Sequence, residues 1–187
     1  MGVARNEMKW ESVESNMRRS NWSGDRILEY FREHNTDFRG HTVFWSVDGH
    51  SPDWYEEQEG ENSQEYMEEK ALEWMEDVIT RYSGTLKNWD VFNEVIHGNF
   101  FRRQFGKDWA NKVFDRIRQA SFQQCFSLVF NCPIRTVENL TKLDPNAELG
   151  INDYNILSGS KGKCFRVFTE GQASTRSEKY RFGNCQG

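Results

Sequence analysis

The stretch from Ser63 to Glu94 constrains the fold more than any other part of the chain. Met67, Ala71, Trp74, Met75, Val78 and Tyr82 fall on one apolar stripe at helical spacing. Ser63 stands where a side chain caps a first turn, and Gly84 where a left-handed residue commonly ends a helix. Trp89-Asp90-Val91-Phe92-Asn93-Glu94 then reads as a short strand, apolar for most of its length and polar at its end. An amphipathic helix running into a buried strand is the repeating unit of sheets whose strands are parallel and joined by crossover helices.

The same alternation recurs along the chain. Ile27, Tyr30 and Phe31 recur at helical spacing between Gly24 and Asn35, and Asn35 marks a helix end. The β-branched and aromatic run from Phe38 to Ser46 predicts a strand, whose alternation sets His41, Val43 and Trp45 on one face and Thr42 and Phe44 on the other. A loop with Gly49 and Pro52 follows and holds Asp53 and Trp54. A further helix is expected from about Lys107 to Ala120, burying Ala110, Val113, Phe114 and Ile117, and a further strand over Glu148 to Tyr154. Polar residues gather where strands end: His41 and Trp45, then Asn93 and Glu94, then Asn152 to Asn155. In (β/α)8 barrels that rim carries the catalytic groups. A doubly wound sheet would alternate in the same way, but no Gly-rich phosphate loop follows any strand, which favours the barrel.

Composition narrows the function. The chain has 24 basic and 29 acidic residues, a net charge of −5, with no basic cluster interleaved with aromatics, so nucleic acid is not an expected partner. No apolar stretch is long enough to cross a bilayer, and Met1 to Trp10 lacks the apolar core of a signal peptide. The run Glu56, Glu57, Glu59, Glu61 reads as a solvated face, and Cys125, Cys132, Cys164 and Cys185 show no metal-ligand spacing.

Several short runs, taken in order, carry a resemblance. Asn93-Glu94 at the end of Trp89-Asp90-Val91-Phe92, continuing into Val95-Ile96-His97-Gly98, resembles the acid/base strand of glycoside hydrolase family 10, whose main activity is endo-1,4-β-xylanase. Asn6-Glu7-Met8-Lys9-Trp10 resembles the motif after the second barrel strand, Arg39-Gly40-His41-Thr42 with Trp45 the third strand, and Asn152-Asp153-Tyr154-Asn155 the end of the fifth. A lone Asn-Glu pair is common; these runs in family order, each at a predicted strand end, are specific. The resemblance implies an incomplete (β/α)8 barrel with roughly strands two to five present. It further implies retaining hydrolysis of xylan or a related β-1,4-glycan, without cofactor or metal.

Roles follow by the same resemblance. Glu94 would be the general acid and then the base, and Asn93 would bond the sugar 2-hydroxyl. His41, Asn6 and Lys9 would hold sugars on the non-reducing side of the cut, with Trp45 walling that subsite. Arg5 departs from the pattern, standing where the family usually has an acidic residue, and is expected to weaken sugar binding there. The chemistry asks for such groups independently: cleaving an acetal needs a proton for a poor leaving group, and an apolar setting raises a carboxyl's pKa toward that task. Family members are usually secreted, so an extracellular location is expected of the complete form, and Asn21-Trp22-Ser23 and Asn139-Leu140-Thr141 match glycosylation sequons.

Other parts do not fit. A full barrel takes about 250 residues and eight strands, and a retaining mechanism needs a second carboxylate about 5–5.5 Å from the first. The family's nucleophile glutamate stands on its seventh strand. Glu170, in Phe168-Thr169-Glu170-Gly171, follows Asn155 too closely to fill that role, so the nucleophile is expected to be missing. The family-like domain is read as residues 1–157, interrupted by an atypical segment over 121–142, with 158–187 an irregular tail outside it. Both segments, which hold all four cysteines, are read as retained intron or a shifted frame. The alternatives to an enzyme are a glycan-binding remnant, or a product of a faulty gene model without function. Four strands without closure would also leave two open parallel edges, an aggregation hazard.

Overall fold

The computed structural model describes residues 1–17, 19–117, 144 and 147–154, with the backbone of 163–164 and 183–184. The segment read as an insertion and Glu170 lie outside the described residues. The chain divides into two units, Met1–Asn152 and Asp153–Gly187.

The first unit is built on a four-stranded sheet in the order β1-β2-β3-β4, with every neighbouring pair parallel. The strands are β1 (Gly2–Val3), β2 (Phe38–Trp45), β3 (Asn88–Asn93) and β4 (Glu148–Asn152). Helices α1 (Trp10–Val13) and α2 (Gly24–Glu33) follow β1, and α3 (Asp53–Glu56) and α4 (Gln64–Tyr82) follow β2. After β3 come α5 (Phe100–Phe105) and a helix over 109–117. This is strand–helix alternation with sequential order and no reversal, the topology of an open part of a (β/α)8 barrel. In the second unit β5 (Lys163–Cys164) pairs antiparallel with β6 (Gly183–Asn184). No helix among the described residues is long and apolar enough to cross a membrane.

The expected elements form for the expected reasons. Ser63 Oγ accepts the Tyr66 N–H at 3.2 Å and caps α4. Gly84, at φ 71°, ends it in the left-handed region, and its N–H donates to the buried Asp144 carboxylate at 3.0 Å. The α4 stripe is buried throughout, and Trp74 Nε1 donates to the Val43 carbonyl at 2.8 Å, pinning the helix to β2. Ala110, Val113, Phe114 and Ile117 are buried on the last helix, as their spacing predicts. Asn35 takes φ 49° just after α2 and ends it. Tyr30 departs from the pattern: it is 56% exposed, and Ile27, Leu28 and Phe31 pack that helix against the core.

The core is aromatic. Trp10 stacks on Trp74 with ring centroids 5.8 Å apart, and Trp22 stacks on Trp74 at 6.1 Å. Phe44 and Phe92 both pack against Trp109 of the last helix, at 5.1 and 5.8 Å, which fixes the outer face of β2 and β3. Phe44 thus faces away from His41 and Trp45, as alternation requires. Thr42 and Val43, both buried, fall where the register shifts between His41 and Phe44, so strict alternation does not carry through them. The His41–Thr42 peptide is cis.

Close approach leaves no room for a side chain at several glycines, Gly40 and Gly98 among them. A Cβ on Gly40 would stand 2.3 Å from the Trp89 ring, and one on Gly98 would stand 2.1 Å from the Ser46 carbonyl oxygen. On Gly150 the nearest atom would be 3.5 Å away, an ordinary contact. Gly40→Ala should therefore destabilise the fold by about 1–3 kcal/mol, the usual cost of overpacking, and Gly98→Ala by at least as much because backbone yields less than a ring. Gly150→Ala should be close to neutral. Urea unfolding of the three variants checks the order; a Gly150→Ala variant as damaged as Gly40→Ala would contradict it.

Candidate functional site

The polar residues lie where the parallel strands end. Asn93 closes β3 and Trp45 closes β2, and the two are register partners. The Ser46 N–H donates to the Asn93 carbonyl at 2.9 Å, and the Glu94 N–H to the Asn152 carbonyl at 2.8 Å. These bonds extend the ladder one step past the strands and hold three strand ends level. Glu94 itself takes φ 55°, which a non-glycine residue rarely adopts. Its carbonyl accepts the Gly98 N–H at 2.6 Å, closing the turn that holds this conformation. A non-glycine residue kept there by surrounding bonds is the kind of local strain that clusters at functional sites. The Glu94 side chain is half-buried.

Asn93 is buried, and its Oδ1 accepts from Asn152 Nδ2 at 2.7 Å. That bond orients the amide and leaves the Asn93 NH2 as its remaining donor group. On β2, His41 Nδ1 lies 3.0 Å from Asp90 Oδ2. Asp90 is 4% exposed, and Arg39 Nε stands 3.3 Å from the same oxygen. A carboxylate only accepts, so Nδ1 carries the imidazole proton and Nε2 is the ring's other polar position. Thr42 Oγ1 donates to the Asp90 carbonyl at 2.8 Å, tying the backbones of β2 and β3 at the same level.

The loop after β1 adds the next group. The Lys9 N–H donates to the Asn6 carbonyl at 2.9 Å, and the Lys9 carbonyl accepts from Ser12 and Val13 as α1 begins. This turn brings Lys9 Nζ within 2.9 Å of Asn6 Oδ1 and 4.2 Å from the Trp45 ring centroid. His41 and Trp45 rings are 6.5 Å apart. Asn6, Lys9, Trp45, His41, Asn93 and Glu94 are therefore joined in one chain of contacts, register pairs and peptide bonds along the rim. Arg5 is exposed beside them, and the Asn6 N–H, donating to Glu7 Oε2 at 3.0 Å, holds the Glu7 carboxyl below the usual range.

Some residues at this rim escape sequence reasoning. Asp90 had a signal: a carboxylate inside an apolar strand has to be buried with a partner. Asn152 is legible in the sequence only as part of a motif, and its bond to Asn93 depends on the register of β4. His50 and Glu11 had no signal at all, because a loop brings them to Trp45. His50 stacks on Trp45, and Glu11 Oε1 lies 3.8 Å from His50 Nδ1. Among the described residues no cluster of three or more His, Cys, Asp or Glu could hold a metal ion.

Burial raises the Glu11 carboxyl above its ordinary pKa, against the smaller opposing effects of Lys9 and His50, and its Oε2 is buried without a hydrogen-bond partner among the described residues. A carboxyl whose folded pKa is raised adds stability below its unfolded value, about 4.3, and loses that contribution as the pH rises through the folded value. Glu11→Gln should therefore be more stable than the parent at pH 7, with the difference shrinking toward pH 4. Thermal unfolding of both proteins across that range checks this, and a difference that grows on acidification would contradict it.

Comparison with known proteins places this geometry. The family model described as Glycosyl hydrolase family 10 matches residues 1–132. The chain is 29% identical to Endo-1,4-beta-xylanase 1 of Arabidopsis thaliana, over 90% of this chain and 15% of that protein. It is 28% identical to Endo-1,4-beta-xylanase 3 of Hypocrea jecorina, over 84% of this chain and 40% of that protein. It is 32% identical to Endo-1,4-beta-xylanase B of Cellvibrio japonicus, over 80% of this chain and 21% of that protein. The chain thus spans less than half the length of these relatives. Among solved structures, xylanase 10B of Thermotoga petrophila in complex with xylobiose superposes with a TM-score of 0.62 at 23% identity, over 82% of this chain and 41% of that one. The fold is the family's barrel in part, with β1 to β4 standing as roughly its second to fifth strands. On the ordered motifs, the rim they build and the family match over most of its length, this chain belongs to glycosyl hydrolase family 10.

Proposed function

We propose that this chain carries the acid/base carboxyl and the non-reducing-side sugar subsites of a retaining endo-1,4-β-xylanase. The observation that carries the reading is the rim itself: Glu94 in a left-handed conformation at the end of β3, next to Asn93, with the His41–Asp90 pair bridging β2 and β3. Glu94 protonates the leaving glycosidic oxygen and then takes a proton from the attacking water. Asn93, its Oδ1 already engaged by Asn152, offers its NH2 to the sugar 2-hydroxyl. Lys9 and Asn6 bond hydroxyls farther along the chain, His41 presents Nε2, and Trp45 walls the subsite. Arg5 replaces an acceptor with a donor and weakens the outermost contact. On this reading the barrel domain runs over 1–157 with the atypical segment at 121–142, and 158–187 lies outside it.

A second reading shares the site: the chain binds a β-1,4-glycan without cutting it. What favours it is the described rim, where four parallel strands among the described residues carry a single acid/base carboxyl. One carboxyl delivers a proton but cannot also form and resolve a glycosyl-enzyme. For the chain as it stands, binding with at most residual turnover is expected.

Titration calorimetry with xylotetraose, followed by chromatography of the products, separates these readings. Binding should be detectable, weakened about 10-fold or more in His41→Ala through loss of a half-buried, oriented hydrogen-bonding group. It should be nearly unchanged in Glu94→Gln. Turnover that disappears in Glu94→Gln makes the chain an enzyme; binding without turnover makes it a glycan-binding member of the family. Absence of binding in the parent chain contradicts both.

A further inference from the structure

His50 takes no part in the reading above, yet it makes the tightest ring contact at the rim. Its imidazole lies 3.7 Å from the Trp45 ring, with the two planes 5° apart. The Glu56 carboxylate accepts the N–H of Gly49 at 2.9 Å and of Ser51 at 2.9 Å, gripping the backbone on both sides of His50. Asp48, one step earlier, pairs with Arg103 at 2.7 Å. Gly49, at φ 81°, supplies the turn that these bonds require. On its other side His50 Nδ1 lies 3.8 Å from Glu11 Oε1 of α1.

The contacts form a line across the rim, from Asn6 to Lys9 to Trp45 to His50 to Glu11. Its two ends come from the segment around the start of α1, and its middle from the end of β2 and the loop after it. Trp45 is engaged twice on its π surface, by the Lys9 ammonium at 4.2 Å and by the His50 ring. A side chain so engaged cannot swing, and the ammonium that rests on it is fixed with it.

We propose that His50 is a positioning residue for the sugar subsite: by stacking on Trp45 it locks the indole as a fixed wall and sets where Lys9 can meet a glycan hydroxyl. The proposal rests on the reading of this rim as a β-1,4-glycan site. Its consequence for recognition is specific. With part of its π surface covered by His50, Trp45 bounds the sugar as a rigid wall, and the polar contacts come from Lys9 and Asn6. Stacking, not charge, is what His50 contributes, so another flat ring should replace it.

The test uses the full chain and two independent readouts. Proton–carbon NMR of the four histidines should show the His50 ring protons, identified by their absence in His50→Phe, shifted upfield by the Trp45 ring current and returned to ordinary positions in Trp45→Leu. Titration with xylotetraose should show His50→Ala binding about 3- to 10-fold more weakly than the parent, the size of a lost aromatic stack, with His50→Phe restored to within about twofold of the parent on the same ground. Ordinary ring shifts in the parent, or His50→Ala binding as tightly as the parent, overturns the proposal and leaves the glycan reading standing. A loss of binding in His50→Ala that His50→Phe does not rescue also overturns it, because the imidazole would then act by charge or hydrogen bonding. A parent chain that binds no xylotetraose, with the upfield shift in place, overturns the glycan reading and the proposed role with it.

Discussion

Backbone hydrogen bonds lace the ends of β2, β3 and β4 into one rim, and Trp45, Asn93 and Glu94 hang from that lacing. Ser46 donates to Asn93, Glu94 to Asn152, Gly98 to Glu94 and Phe100 to Ser46, at 2.6–2.9 Å. Within this set the chain must turn out of β3 through a left-handed Glu94 and pass Gly98 directly over the Ser46 carbonyl, where no side chain has room. The left-handed Glu94 is held between the bonds its own N–H and carbonyl make to Asn152 and Gly98. This is how a carboxyl can be set at a strand end without being part of the strand, and it makes the geometry of the site a property of the backbone.

Behind the rim, rigidity comes from aromatic packing and from a few buried polar ties. Trp10, Trp22 and Trp74 stack in succession, and Trp74 also anchors α4 to the Val43 carbonyl. Phe44 and Phe92 carry this packing to the outer face of the sheet, directly behind Trp45 and Asn93. Asp90 does the same for the inner side: one buried carboxylate orients His41, pairs with Arg39, and through its backbone binds Thr42. A buried carboxylate is costly unless engaged, and Asp90 meets that cost through His41 and Arg39. At the sheet's margins β1 and β4 end the order among the described strands. In a closed barrel such margins are paired.

Much of this was legible in the residues, and the reasons are physical. The helix stripe from Met67 to Tyr82, its Ser63 cap and its Gly84 terminator are local signals, and the structure reproduces them. Strand ends were legible because polarity changes sharply at Asn93 and Trp45. The exposure of Tyr30 was not, since spacing alone cannot say which aromatic of a helix meets a neighbour. Nor was the shift of register between His41 and Phe44, which depends on pairing with β3. The short helices α1, α3 and α5 are too brief to show a period. His50 and Glu11 illustrate the deepest limit: residues 39 positions apart in sequence meet through a loop whose path is set by Glu56 and Arg103. Nothing in the sequence around either one announces the other.

Residue-by-residue NMR mapping of a xylo-oligosaccharide on the full chain tests the central claim most directly. The account predicts that amide and side-chain shifts change at Lys9, His41, Trp45, Asn93 and Glu94, the groups along the ends of β2 and β3 and the start of α1, while α2 and α4 stay still. Shifts confined to the outer helices, or no saturable change anywhere at millimolar sugar, would contradict it.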